Sequence, residues 1–405
     1  MITRKWEEGA IYNKENYFQE DHGEIDESYL TKKKRLIRVP NKHNFYFKFK
    51  YSKAIQVTRL NKPLTLFEQF IKWTSTRYFD NEKAIFYCAN ELMKKEKFDF
   101  ILTSGEPFIL FKYATILKRK FNIKIALDYR DGWSTNSFKK ASKNFVNEIV
   151  RRNEQRVEKT IIANADLLLF ASQTLKEEVY NHFNLKNIEG AVINNGIKLT
   201  EKKNESSKFL KEKKFYITFI GTLYPEHNLL AFLNAIDVLI KDHNCTEIIL
   251  VFVGSMINCP IRQKAVLENF KSNHEKSIVF IDYVNNDDAI KIQFESTVLL
   301  KFNSFEQKKG HFGKKLYEYA FSGKKVIAVD TKEGFQHQME FFDDKPFIYN
   351  NFSSSQIIMN ISAFYETWKN NGSLSNEISV KDLDPFSTQL QTNYLEKLLF
   401  HKFTK

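Results

Sequence analysis

The chain has 405 residues, a net charge of +13, 42% hydrophobic residues and 15% aromatics, 38 of them Phe. That is enough apolar content for two or three domains with real cores, and no stretch approaches the roughly 18–20 unbroken apolar residues of a membrane-spanning helix. The charge calls for an anionic partner: a phosphorylated ligand, a membrane surface or nucleic acid. The N-terminus lacks a signal peptide's apolar core. Cys88, Cys245 and Cys259 form no even set and show no metal-ligand spacing, so a reducing, cytoplasmic setting is expected.

In chain order, Ile2 to Trp6 reads as the end of a strand, and residues 7–30 as a polar surface loop. From Thr31 to Trp73 the character changes. Cations such as Lys32, Lys33, Lys34, Arg35, Lys48, Lys50 and Arg59 face a single acid, Glu68, and are interleaved with Phe45, Phe47, Phe49, Phe70 and Trp73. Basic residues near an anionic leaflet contribute about 1 kcal/mol each, so a peripheral membrane contact at the inner face is expected here. A solvated basic face on a Phe-rich core is the competing reading, and single-stranded nucleic acid a third.

Strands and helices then alternate. Phe98–Leu102 is a strand followed by the loop from Thr103 to Pro107, and Phe108–Phe121 is a helix. The strand Ile123–Leu127 ends in Asp128-Tyr129-Arg130-Asp131-Gly132-Trp133. Ligands of open α/β sheets bind beyond the carboxyl ends of strands, which is where Glu106, Arg130 and Asp131 fall. Those three are the candidate catalytic residues, with a structural Arg–Asp network as the alternative. The helix Phe145–Asn164 carries Arg151, Arg152, Glu154, Arg156, Glu158 and Lys159, read as a wet face. Ala165–Phe170 is a buried strand, Ser172 a helix cap, and the aperiodic stretch Lys198–Lys214 a linker between domains 1–197 and 215–385.

The second half opens with the strand Phe215–Ile220 and the turn Gly221-Thr222-Leu223-Tyr224-Pro225-Glu226-His227-Asn228, leading into the helix Leu229–Ile240. The strands Ile248–Val253, Ile278–Tyr283 and Val298–Phe302 follow, with Asn285 as a cap. Gly310-His311-Phe312-Gly313-Lys314-Lys315-Leu316-Tyr317-Glu318 then opens a helix that Gly323 stops before the strand Lys325–Val329. A helix N-terminus offers unpaired N–H groups and a partial positive charge, so phosphate sits well there. Gly310 and Gly313 allow close approach, Lys314 or Lys315 supplies charge, and Glu318 one turn on can accept a diol. The competing reading is an ordinary capped helix with a solvated Lys pair. Asp382-Leu383-Asp384 precedes Pro385 and the terminal helix Ser387–Phe400, and reads as a turn rather than a metal site.

Phe312, Gly313 and Glu318 match the Glu-Pro-Phe-Gly-Leu-x-x-x-Glu-Ala motif of retaining nucleotide-sugar glycosyltransferases, with Gly310 in place of the first Glu. Asp128–Trp133 resembles the same family's Asp-Tyr-Arg-Asp-Pro-Trp loop, with Gly132 for Pro. From Phe98 to Ser387 the chain resembles bacterial surface-polysaccharide enzymes of this type. The resemblance implies an α/β, GT-B architecture: two Rossmann-like domains facing a cleft, with residues 386–405 forming a helix that crosses back to the first. It implies a metal-independent, cofactor-free hexosyltransferase that acts on a glycan or lipid-linked acceptor and binds no nucleic acid. Gly221, Thr222, His227, Gly313, Lys314, Lys315, Leu316 and Glu318 would hold the donor. Thr222 and His227 stand where the family's Arg and Lys clamp the diphosphate, which leaves the charge to the lysines and the helix tip. A nucleotide-sugar epimerase of the same fold and a non-catalytic binding homologue are the alternatives. The family's Val-Ile-Thr-Arg-x-Trp strand follows a β-α unit, so the chain is expected to start one unit late unless Met1–Trp6 is simply a flexible start.

Overall fold

The computed structural model describes residues 1–4, 26–31, 34–39, 67, 82–135, 145–197, 209–210, 212–225, 227–302, 314–329, 348–351, 353–374 and 383–404. Most of the basic aromatic segment lies outside them. The chain forms two compact units, Met1–Ile193 with Lys397–Lys405, and Asn194–Glu396.

In the first unit, β1 (Ile2–Arg4) pairs parallel with β3 (Lys34–Val39), which pairs antiparallel with β2 (Asp26–Thr31). The polar stretch expected to be loop therefore ends in a strand: backbone pairing to a strand that carries the buried residues Leu36 and Ile37 supplies the order that its own side chains do not. The helix α1 (Lys83–Lys95) precedes a four-stranded parallel sheet of β4 (Phe100–Gly105), β5 (Lys124–Tyr129), β6 (Leu167–Phe170) and β7 (Gly190–Val192), in that order. Between the strands run α2 (Ile109–Phe121), α3 (Phe145–Ile162) and α4 (Gln173–Phe183). Ser172 caps α4 as expected, its Oγ accepting from the Leu175 N–H.

One face of α3 differs from expectation. Arg152 and Lys159 are exposed, but Glu154 is 6% and Glu158 0% exposed. The four-residue spacing puts both glutamates in line with Ile161 and Ile162, on the stripe facing the core. Glu158 Oε2 accepts the Ser134 backbone N–H at 2.9 Å. Burial pushes its carboxyl up to about 7, only partly opposed by the Ser134 and Tyr129 groups around it.

The second unit is a six-stranded parallel sheet in the order β10-β9-β8-β11-β12-β13: β8 (Phe215–Ile220), β9 (Ile248–Val253), β10 (Ile278–Ile281), β11 (Val298–Phe302), β12 (Lys325–Val329) and β13 (Ile348–Asn351). The helices are α5 (Leu229–Lys241), α6 (Ile261–Asn273), α7 (Asn286–Glu295), α8 (Lys314–Ser322) and α9 (Ser354–Asn371). Both faces of this sheet are covered, which is why its strands read as continuous apolar runs. Phe215, Ile217 and Phe219 pack with Phe232, Ile236 and Trp368 on one face, while Tyr216 joins Val251, Val253 and Ile292 on the other. The terminal helix α10 (Thr388–Phe403) starts in the second unit, where the Thr388 N–H donates to the Ile197 carbonyl. Its last residues belong to the first unit, with Phe403 against Phe100 and Lys402 bonded to Glu189. No described helix is long and apolar enough to cross a membrane.

Glu158 links stability to pH. Its folded-state value of about 7 exceeds the ordinary 4.5, so the native chain keeps a proton that the unfolded chain releases. The stability is fully present below about pH 4.5 and declines as pH rises through 7. The shift corresponds to about 3 kcal/mol. Urea unfolding at pH 5 and pH 7.5 should show this loss in the wild type and not in Glu158→Gln.

Candidate donor and acceptor sites

Strand order in the second sheet reverses between β8 and β11, the place where open α/β sheets leave a crevice beyond their carboxyl ends. The β8–β9 register runs through Ile220, whereas β8–β11 pairing ends at Thr218 and Leu299. Past that point the Ile220 peptide meets α8 instead of a strand. Lys315 Nζ donates to the Ile220 carbonyl oxygen, and the Ile220 N–H lies at the Tyr319 hydroxyl. Gly221 follows with φ +135, and a Cβ there would collide with the Lys315 ammonium. Glycine is therefore required twice, for its backbone angle and for the space.

Helix α8 is held on nearly every side. Leu316, Tyr317, Tyr319, Ala320 and Phe321 are buried against Leu299, Val326 and Ala328. Lys315 keeps much of its side chain in solvent while its ammonium turns in against the Ile220 carbonyl, and Glu318 is half-buried, so this i, i+3 pair marks the helix's open face. Desolvation pulls the Lys315 ammonium below the ordinary lysine value, with the Glu318 carboxylate opposing it. An ammonium has three N–H donors, and Ile220 engages one of them.

The structure thus brings Gly221, Lys315 and Glu318 together. Leu316 is 1% exposed, so its side chain packs the core rather than meeting a ligand. Lys314 is the first residue of α8, while Gly310, Phe312 and Gly313 fall outside the described residues. Thr222 is half-buried and uncharged. His227 accepts the Tyr224 N–H on Nδ1 and stacks on Phe302 at 5.4 Å. Burial, then the Lys301 charge, lower it to about 4. At neutral pH it is an uncharged Nε2–H donor and supplies none of the positive charge of the family's Lys. Asp384 opens a short turn that ends before Ser387, whose Oγ accepts the Leu390 N–H and caps α10, and Asp382 lies outside the described residues. Among the described residues no three His, Cys, Asp or Glu are grouped to hold a metal.

In the first unit the candidates lie at the carboxyl ends of β4 and β5. Arg130 folds back on Asp128, with Nε at 2.9 Å and Nη2 at 2.5 Å from Oδ1, while Ser104 Oγ donates to Oδ2. Glu106 and Asp131 are exposed. Trp133 anchors the loop, stacked on Phe108 with centroids 5.2 Å apart and 3° between the planes. The Arg–Asp network left open in the sequence exists, and it joins Arg130 to Asp128 and Ser104. Sequence reasoning missed Ser104, although its position at the end of an apolar strand was a usable signal.

Two outcomes follow. Gly221→Ala should lower stability by about 1–3 kcal/mol in urea unfolding, from the strained φ and the displaced lysine. The His227 ring should show no titration between pH 5.5 and 8 in nitrogen-detected NMR and should carry its proton on Nε2.

Residues 200–378 match the family model described as glycosyl transferases group 1. No relative among curated proteins matches. Sucrose-phosphate synthase from Thermosynechococcus elongatus aligns with a TM-score of 0.61 at 16% identity, over 99% of this chain and 88% of that one. Anabaena Alr3699/HepE, solved with UDP-glucose, gives 0.52 at 13% identity over 76% and 81%. A chain of the GtfA/B complex gives 0.51 at 14% over 82% of this chain, which spans 62% of the length of that one. The family match thus falls within the second unit, and the fold of two Rossmann-like units is the GT-B fold.

Proposed function

We propose that the chain moves a sugar from a nucleotide-diphosphate donor, bound in the second unit, to a glycan or lipid-linked acceptor met by the first. The observation that carries this reading is the Lys315 ammonium held at the sheet's switch point with Glu318 one turn on. A departing diphosphate gains negative charge in the transition state. Fixed donors in a poorly solvated place stabilise that charge more than mobile ones in water. Lys315 has two N–H donors left for the diphosphate, the N-terminal end of α8 adds its amides, and Glu318 can accept the ribose diol. Arg130, Asp131 and Glu106 serve the acceptor or the transferred sugar. The matched domain supports this reading, as does the UDP-glucose bound by the Anabaena protein of like fold. Synthesis of a cell-surface glycan at the inner membrane face fits the basic aromatic segment at 31–73.

A screen of nucleotide sugars by thermal unfolding tests it, since ligand at a hundred times Kd stabilises by about 2.7 kcal/mol. Lys315→Met should weaken nucleotide diphosphate about 10–100-fold, the value of a hydrogen bond to a charged group. Glu318→Ala should weaken the intact nucleotide more than it weakens pyrophosphate. If no nucleotide sugar shifts the transition, the reading is wrong.

The neutral His227 and the uncharged Thr222 favour one second reading, a homologue that binds the nucleotide sugar without turning it over. Donor binding with no transfer to any acceptor extract would select it.

A further inference from the structure

Beneath the acceptor-side loop, four polar atoms are buried without a well-directed hydrogen bond: Tyr129 Oη, Ser134 Oγ, Thr135 Oγ1 and Glu158 Oε1. Three of the four residues lie at the end of β5 or in the turn that follows it, and the fourth rises from α3. The Ser134 N–H joins the two elements by donating to Glu158 Oε2 at 2.9 Å. The charged and titratable groups that face Glu158 are the Tyr129 hydroxyl from β5 and Glu154 from its own helix, and neither is a cation. A buried carboxylate without a cation is costly, whereas a neutral carboxyl can accept the Ser134 amide on one oxygen and donate its proton from the other to an orphaned hydroxyl.

We propose that neutral Glu158 is a positioning residue, a proton-bearing latch that holds the loop Arg130–Thr135 to α3 and so sets where Arg130 and Asp131 stand at the sheet's edge. Ionisation leaves a bare charge under the loop and loosens it. The window is set by the carboxyl's ordinary value of 4.5 with the loop open and about 7 with it closed. Opening therefore becomes easier as pH rises from about 4.5 to 7 and levels off above that. Trp133, stacked on Phe108, resists the release from the other side of the turn. The role in positioning the acceptor rests on the transferase reading above, but the latch itself does not.

Amide hydrogen exchange of the full chain, corrected for the intrinsic pH dependence of exchange, measures the latch directly. From pH 5 to pH 7.5 the peptide covering 130–135 should lose protection at least about tenfold in the wild type. In Glu158→Gln, which keeps the amide acceptor and cannot ionise, it should stay level. A flat wild type overturns the proposal, and so does a Gln variant that follows the wild type. Exchange of the 130–135 peptide no faster than that of the β5 and β6 strands at either pH also overturns it, because the loop then opens only when the whole unit unfolds. Circular dichroism confirms that the variant is folded. UDP-glucose stabilisation, read on the same samples, should be equal in both proteins. Its absence from both would remove the donor reading and leave the exchange result to decide the latch. Where transfer is measurable, the Gln variant should lose the acceptor-KM inflection between pH 5 and 7.5 with kcat little changed.

Discussion

The second unit is organised around one unsatisfied peptide. A strand at the switch point of a doubly wound sheet loses its neighbour near its carboxyl end, and Ile220 is where β8 loses β11. The carbonyl of Ile220, at a half-buried position, is left without a donor from β11. Here the donor comes from a side chain on the next element. Lys315 reaches across, Gly221 leaves the room, and Tyr319 meets the N–H of the same residue. The correction of a fold defect thereby fixes a cation at the crevice. The contact that completes the fold also holds an ammonium in a fixed place.

The candidate residues differ in how their charges are balanced. Asp128 is bonded by Arg130 and Ser104, so it stays at the end of β5 without strain. Lys315 is short of solvent but close to Glu318. His227 is in the opposite position, buried beside the Lys301 cation, and gives up its own charge. A His in these surroundings carries no charge at neutral pH and keeps a hydrogen-bond donor.

Much of the fold was legible because buried parallel strands announce themselves. Phe215–Ile220, Ile248–Val253, Val298–Phe302 and Lys325–Val329 have the expected bounds, and the caps at Ser172 and Asn285 bond as their spacing implies. The helix α6 escaped notice because only Gln263, Leu267 and Phe270 point inward from an otherwise polar segment. Strand β2 escaped for a different reason: its order comes from the strand it pairs with rather than from a pattern of its own. At the candidate donor site, sequence could place Lys315 and Glu318 on one helix face. It could not show that the partner is a backbone carbonyl 95 residues away in the chain, since a carbonyl leaves no trace in residue identity.

Glu158 shows where a charge-based reading of helices fails. Helix α3 alternates acids and bases in the manner of a solvated face, and the surface pairs Glu148–Arg151 and Glu148–Arg152 fit that pattern. Phase distinguishes the members. Glu154 and Glu158 lie four apart and in step with Ile161 and Ile162, so the geometry that buries the isoleucines buries the acids. A carboxyl in that stripe has to be neutral, paired or used. Since neither Tyr129 nor Glu154 can pair with it as a cation, the proton is its partner. A position whose partner is a proton responds to pH in a way that no surface pair on the same helix does.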